Sequence, residues 1–294
     1  MLIRTDLALE AKEMYDSSKA DSTEGVDAFE EDVDGVKLTF VEIKNEKGEK
    51  ALSKAKGKYI TIEMPEFEKI GNGYYNVCVD CLKEQIKRLT GAKENISVLV
   101  AGLGNRKITP DAIGPLCVDN LIVTHHLKEM NLEGLKELGN ISAIVPGVLG
   151  ITGIESADII KSICRHVKPD VLICIDALVA RKTSRLATTI QLSDTGISPG
   201  SGIGNKRAEI SEKTVGVKVI SIGVPMVVEA ATLAYDAVGG GGEDLYRKIK
   251  AQTGDMIVTP KDADNLVLQM SKITSAALNL AFHNIPAEEL YLYL

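Results

Sequence analysis

Hydrophobic positions along the chain follow more than one rhythm. In 36–43, Val36, Leu38 and Phe40 alternate with Lys37 and Thr39, and residues 59–64 repeat the alternation. A period of two predicts half-buried strands, and the Lys- and Gly-rich link between these two predicts an antiparallel pair at a sheet edge. Elsewhere apolar residues run together, at 96–101, 141–145, 171–175, 187–192 and 217–223. The short β-rich run at 96–101 predicts a strand covered on both faces, and the others read as further strands. Between them, residues 75–89, 154–167, 227–238 and 262–282 read as helices, with Pro225 at the start of the third. Leu7, Ala8, Leu9, Ala11 and Met14 outline a short helix near the N-terminus, and Leu121, Ile122 and Val123 another that closes on His125 and His126. Residues 239–242 form a glycine joint, and 256–260 a short extended run. This order predicts one α/β domain of three layers around a mostly parallel, mixed sheet, with an added N-terminal β-hairpin. No internal repeat is present.

Charge and composition narrow the functional classes. The chain has 294 residues, enough for a large core, and a formal net charge of −7, which argues against a nucleic-acid-binding surface. Aromatic residues are 4% of the chain and Trp is absent, so a base- or sugar-stacking platform is not expected. No apolar run reaches the length of a membrane span, and MLIRTDLALEAKE lacks the apolar centre of a signal peptide. The five cysteines are odd in number and fall mostly within apolar runs, as reduced thiols in a cytosol do. Residues 1–35 are acidic and polar and are expected to include a mobile segment.

Candidate chemistry gathers where strands end. Residues 96–101 run into Gly102-Leu103-Gly104-Asn105, and Asp111 follows on the next loop. A second apolar strand ends directly in Asp176. If these strands are parallel, both carboxylates lie at one sheet edge, the usual place for an active site in an open α/β sheet. Two carboxylates there share a proton, one serving as base toward water and the other as acid toward a carbonyl. The alternative at the level of spacing is that one of them caps a helix. Residues 193–211 form a long Gly-, Ser- and Pro-rich loop that matches neither a dinucleotide fingerprint nor a P-loop. Lys206 and Arg207 in it are candidate contacts for acidic substrate groups, and Glu155 and Asp194 are candidate supporting residues. Cys78 and Cys81 have metal or redox spacing but no second pair, and read as buried thiols on a helix. No HExxH spacing and no GxSxG elbow is present.

Separated stretches of the chain carry a family likeness. RTDLALEA at 4–11, GLGN and TPDAIGP within 102–115, PGVLGITGIES at 146–156, IDALVAR at 175–181, QLSDTGISPGSGIGNKR at 191–207, GVPMVVEA at 223–230 and VTPKDAD at 258–264 resemble the germination protease family, in order and over nearly the whole chain. The resemblance implies a doubly wound fold similar to the hydrogenase-maturation endopeptidases. It implies an atypical aspartic endopeptidase of the forespore or spore core cytoplasm, acting on small acid-soluble spore proteins. Asp111 and Asp176 match the family's essential aspartates, with no metal or other cofactor. It further implies an inactive homotetrameric zymogen that removes its own N-terminus. The matching bond here is Asp6-Leu7, giving a propeptide of 1–6 and a peptidase domain of 7–294. The competing expectations are a metal-dependent processing peptidase and a non-catalytic peptide-binding scaffold.

Overall fold

The computed structural model describes residues 3–18, 24–64, 72–91, 96–128, 138–200 and 207–292. Its centre is a parallel block of β4 (Ser97–Gly102), β5 (Asn140–Ile144), β6 (Val171–Ala180) and β8 (Lys218–Glu229), in the order β8-β6-β4-β5. Antiparallel strands extend it through β7 (Thr189–Ser193), β3 (Gly57–Glu63), β2 (Val36–Ile43) and β1 (Val26–Val33), while β9 (Ile257–Val258) pairs with the far end of β8.

Side-chain alternation divides the apolar runs between two cores. Val98, Val100, Ile173, Ile175, Ile220 and Ile222 face α3 (Asn72–Thr90), α4 (Ile113–Asp119) and α11 (Ala263–Phe282). Leu99, Ala101, Leu172, Cys174 and Val219 face α7 (Ser156–Val167) and α8 (Glu212–Val215). This is the three-layer α/β arrangement with a mixed sheet that the patterning predicts, although antiparallel pairings outnumber the parallel ones among the described residues. A smaller core lies where α1 (Ala8–Ser18) and α2 (Glu46–Leu52) cover Val41, Ile43 and Tyr59. All five cysteines are buried and free. Among the described residues no helix is long and apolar enough to cross a membrane.

Several expectations are corrected. The acidic stretch after α1 contains a full strand: β1 pairs with β2 through Asp34-Gly35, both at positive φ, so the edge is a three-stranded meander rather than a single pair. The link between β2 and β3 holds a helix, α2, capped by the Asn45 side chain. α4 stops at Asp119, and Leu121, Ile122 and Val123 are not helical. There Asn279 of α11 accepts the Ile122 N–H at 2.9 Å and donates to the Asn120 carbonyl at 2.9 Å, replacing helical partners with tertiary ones. His125 opens α5 (His125–Lys128) instead of closing a helix. β6 does not end at Asp176 but continues to Ala180. Pro225 lies inside β8, beside a register shift between Leu178 and Val179, so α9 (Ala230–Ala237) begins later than expected. A bulge is where a sheet tolerates proline. The glycine joint leads into α10 (Glu243–Thr253), a helix the pattern did not announce.

Candidate active site

The first carboxylate is placed by two glycines. Gly104 holds φ +104°, and a Cβ there would meet the Asp111 carbonyl oxygen at 2.1 Å. Gly114 presses α4 against the sheet, so that a Cβ would meet the Leu103 carbonyl oxygen at 2.3 Å and the Ile175 carbonyl oxygen at 2.6 Å. The intervening turn closes as a short 3-10 helix, Thr109–Asp111, with Pro110 in its first turn. Asp111 then curls back, its Oδ2 accepting the Asn105 N–H at 2.8 Å. Burial raises its pKa, and the Asn105 amide opposes the rise.

Asp176 comes from β6, one residue beyond the last pairing of β6 with β4 at Gly102 and Ile175. It is 5% exposed, and its Oδ1 accepts the N–H of Ala177 at 3.0 Å. Burial holds its pKa well above the ordinary carboxylate value, and the negative charge of Asp111 adds to the rise. The two side chains line the same cleft of about 470 Å³ and, beside it, a smaller cavity of about 200 Å³. Like charges in one desolvated pocket do not both ionise readily, so one proton is retained by the pair over the range in which a free aspartate would lose it.

The N-terminal segment enters the larger cleft. The Asp6 N–H donates to the Val179 carbonyl at 2.9 Å, and Asp6 Oδ2 accepts the Val179 N–H at 2.8 Å. Gln191 clasps the next bond from both sides: its Nε2 donates to the Asp6 carbonyl at 3.1 Å and its Oε1 accepts the Ala8 N–H at 2.6 Å. Leu7 is fully buried among Leu178, Ala180, Leu186 and Val228. Burial raises the Asp6 pKa, and Lys54 opposes it.

The other sequence candidates separate. Glu155 and Arg207 form an ion pair at 3.6 Å and line the smaller cavity together with both aspartates. Asp194 lines neither cavity; its Oδ1 accepts the Lys58 N–H at 2.7 Å and fixes the start of β3. Lys206 lies outside the described residues. The base of its loop is closed by a bridge between Ile197 and Ile210, and Thr195, Gly196 and Ser198 form a wall of the larger cleft. Cys78 and Cys81 sit in the core on α3, where burial pushes the Cys78 thiol up to about 12. Among the described residues, no three His, Cys, Asp or Glu side chains are grouped as metal ligands. Sequence reasoning missed Lys54, Gln191 and the open end of β6. Lys54 stands in a run of lysines that reads as solvated, and Gln191 is one polar position in an alternating strand.

The sequence model of the germination protease family matches residues 5–241. The germination protease of Clostridium tetani is 42% identical, covering 99% of this chain and 98% of its own. That of Caldanaerobacter subterraneus subsp. tengcongensis is 43% identical, covering 95% of this chain and 94% of its own. Among solved structures, a [NiFe] hydrogenase maturation protease HycI from Thermococcus kodakarensis covers 65% of this chain and 98% of its own at 15% identity and a TM-score of 0.34, a likeness too loose to add to the architecture described above. With the family's match over most of its length, the chain belongs to the germination protease family and is a peptidase of spore germination.

Proposed function

We propose that the chain is an endopeptidase of the two-aspartate, water-activating kind, with Asp111 and Asp176 as its catalytic pair. The observation that carries this reading is their shared cleft, in which each carboxyl is raised and the charge of Asp111 acts on Asp176. Asp176, the more deeply buried, keeps the proton and donates it toward the peptide carbonyl or the departing amine. Asp111, the more exposed of the two, remains the base that takes a proton from water. The attack then yields a tetrahedral intermediate, whose collapse breaks the C–N bond as the amine gains its proton. Rate falls on the acid side as Asp111 becomes protonated and on the alkaline side as the pair loses its last proton.

The substrates in this reading are small acid-soluble spore proteins, cut in an extended form that the open cleft accommodates. Residues 1–6 act as a propeptide, removed by cleavage between Asp6 and Leu7 to leave 7–294 as the working domain, and the assembly is a homotetramer in the spore cytoplasm. The hold of Gln191 on both sides of that bond supports the choice of position. Incubating the purified chain with an acid-soluble spore protein and following fragments by mass spectrometry tests the catalytic assignment. Asp111→Asn and Asp176→Asn are each expected to lower turnover by at least about a hundredfold, with the near-ultraviolet circular dichroism unchanged. Near-normal fragment yield from either folded variant refutes the pair. Retention of full activity in a chelator is expected, and its loss would favour metal-dependent hydrolysis.

A further inference from the structure

Gln191 is buried on β7 and shares one row of the sheet with Asp176. It pairs with Gly223, and Gly223 pairs with Asp176, so the two side chains leave the same face of the sheet two strand spacings apart, roughly 10 Å. Gly223 leaves the space between them to the side chain of Leu178, whose Cδ1 a Cβ there would meet at 2.3 Å. Gln191, Asp176 and Asp111 all line the larger cleft.

The N-terminal segment settles which way the carboxamide points. The Ala8 N–H needs an acceptor, so Oε1 faces it at 2.6 Å and Nε2 turns to the Asp6 carbonyl at 3.1 Å. The other side of that peptide group, the Leu7 N–H, is accepted by Thr5 Oγ1 at 3.1 Å. The Asp6-Leu7 amide is thus held at its oxygen by a neutral donor and at its nitrogen by a hydroxyl that donates in turn to Glu10. Negative charge collects on a carbonyl oxygen when water adds to its carbon, and a preset N–H in a desolvated site meets that charge without reorganising.

We propose that Gln191 is a third catalytic residue, its Nε2 donating to the oxygen of the peptide carbonyl under attack. The proposal rests on the two-aspartate reading of the cleft and on Asp6-Leu7 as the bond cut. The water oxygen bonds to the Asp6 carbonyl carbon as its proton passes to Asp111, and the C=O electron pair moves onto the oxygen that Gln191 holds. When that pair returns, the C–N bond breaks and the Leu7 nitrogen takes the Asp176 proton; Asp111 then passes its proton to Asp176. Gln191 gains and loses no proton, and its bond strengthens only as the oxygen becomes charged. Its Oε1, on the N–H two residues further along, fixes the register of the backbone whatever side chains that backbone carries.

The full chain tests this on its own bond. Mass spectrometry follows conversion to a Leu7 N-terminus, and turnover of an acid-soluble spore protein gives kcat and KM. Gln191→Leu is expected to slow conversion about a hundredfold and to lower kcat alike, with KM changed by less than about threefold. Gln191→Glu separates a donor from a packing role, because its carboxyl donates only when protonated. Its rate relative to the parent chain is expected to rise as pH falls from about 7 to about 5, the carboxylates of Asp6, Asp111 and Asp176 favouring that proton and Lys54 opposing it. Near-ultraviolet circular dichroism checks the fold of both variants, and the pH series decides alone if Gln191→Leu does not fold. Near-parental kcat in folded Gln191→Leu, a loss carried by KM alone, or a Gln191→Glu ratio that stays low throughout overturns the role. Cleavage that survives Asp176→Asn while Gln191→Leu remains slow would instead sink the two-aspartate reading and leave the donor standing.

Discussion

Asp176 sits where a carboxylate is least comfortable, inside a buried strand and facing a second carboxylate. Its folded pKa is well above 3.8, so as pH rises past the unfolded value the unfolded chain releases this proton while the folded chain keeps it. The folded state then binds more protons, and its stability falls as pH increases from about 4 toward the folded pKa. Asp176→Asn removes that cost. It is expected to raise the melting temperature at pH 7 and to leave it nearly unchanged at pH 3; equal effects at both pH values would contradict the burial argument. Arg185 shows the opposite sign. It is buried with ion pairs to Glu10, Glu13 and Glu63, at 3.3, 2.7 and 3.1 Å, and joins α1 to β3 and to the segment after β6. Burial works against the charge on Glu13, but the hydrogen bonds from Arg185 and Lys182 outweigh it and hold its pKa at about 2. That stabilisation is complete above pH 4.5 and is lost as pH falls toward about 2. Arg185→Met is expected to cost about 3 kcal/mol at pH 7 by taking the guanidinium counter-charge from buried Glu10 and from Glu13, with the gap from the parent chain narrowing in acid. Urea titrations at both pH values measure it.

At the scale of elements, the site depends on how closely α4 approaches β4 and β6. Gly114→Ala puts a methyl group onto backbone that cannot swing away, and is expected to destabilise the fold by about 2 kcal/mol, with α4 displaced. An unchanged urea midpoint would show that this contact is looser than drawn. The central strands were legible in the sequence because burial on both faces leaves an uninterrupted apolar run, and α11 because its length left no rival reading. β1 was not legible because all its residues but Val26 are exposed, so no alternation marks it; only the Asp34-Gly35 turn betrays it. The true ends of α4, β6 and β8 were hidden for a different reason. Each is decided by partners far away in the chain, Asn279 for α4 and, for the two strands, their mutual pairing, which continues past the Leu178–Pro225 irregularity. The aspartates were readable because each follows an apolar strand run, although β6 carries on past Asp176, whereas Lys54 gains its meaning only when the turn after α2 brings it to the Thr5 carbonyl.

The whole molecule is a wide α/β sheet whose parallel centre supplies the carboxylates and whose antiparallel wing supplies the opposite wall of the cleft. Gln191, Ser193 and Tyr59 reach the cleft from that wing, and the N-terminal segment lies across it. If residues before Leu7 occupy the substrate's place, their loss opens the cleft without refolding the sheet. Mass spectrometry of the chain during activation is expected to show a new N-terminus at Leu7 before turnover of added protein rises; turnover that rises with the N-terminus intact would contradict this order.

The coupling of Asp111 with Asp176 underlies all of this, and carboxyl-carbon nuclear magnetic resonance of aspartate-labelled protein, titrated with pH, tests it most directly. The account predicts that Asp176 loses its proton well above the ordinary aspartate range and that Asp111→Asn moves this transition downward. Two carboxyls titrating independently near pH 4, with Asp176 indifferent to the change at Asp111, would contradict it.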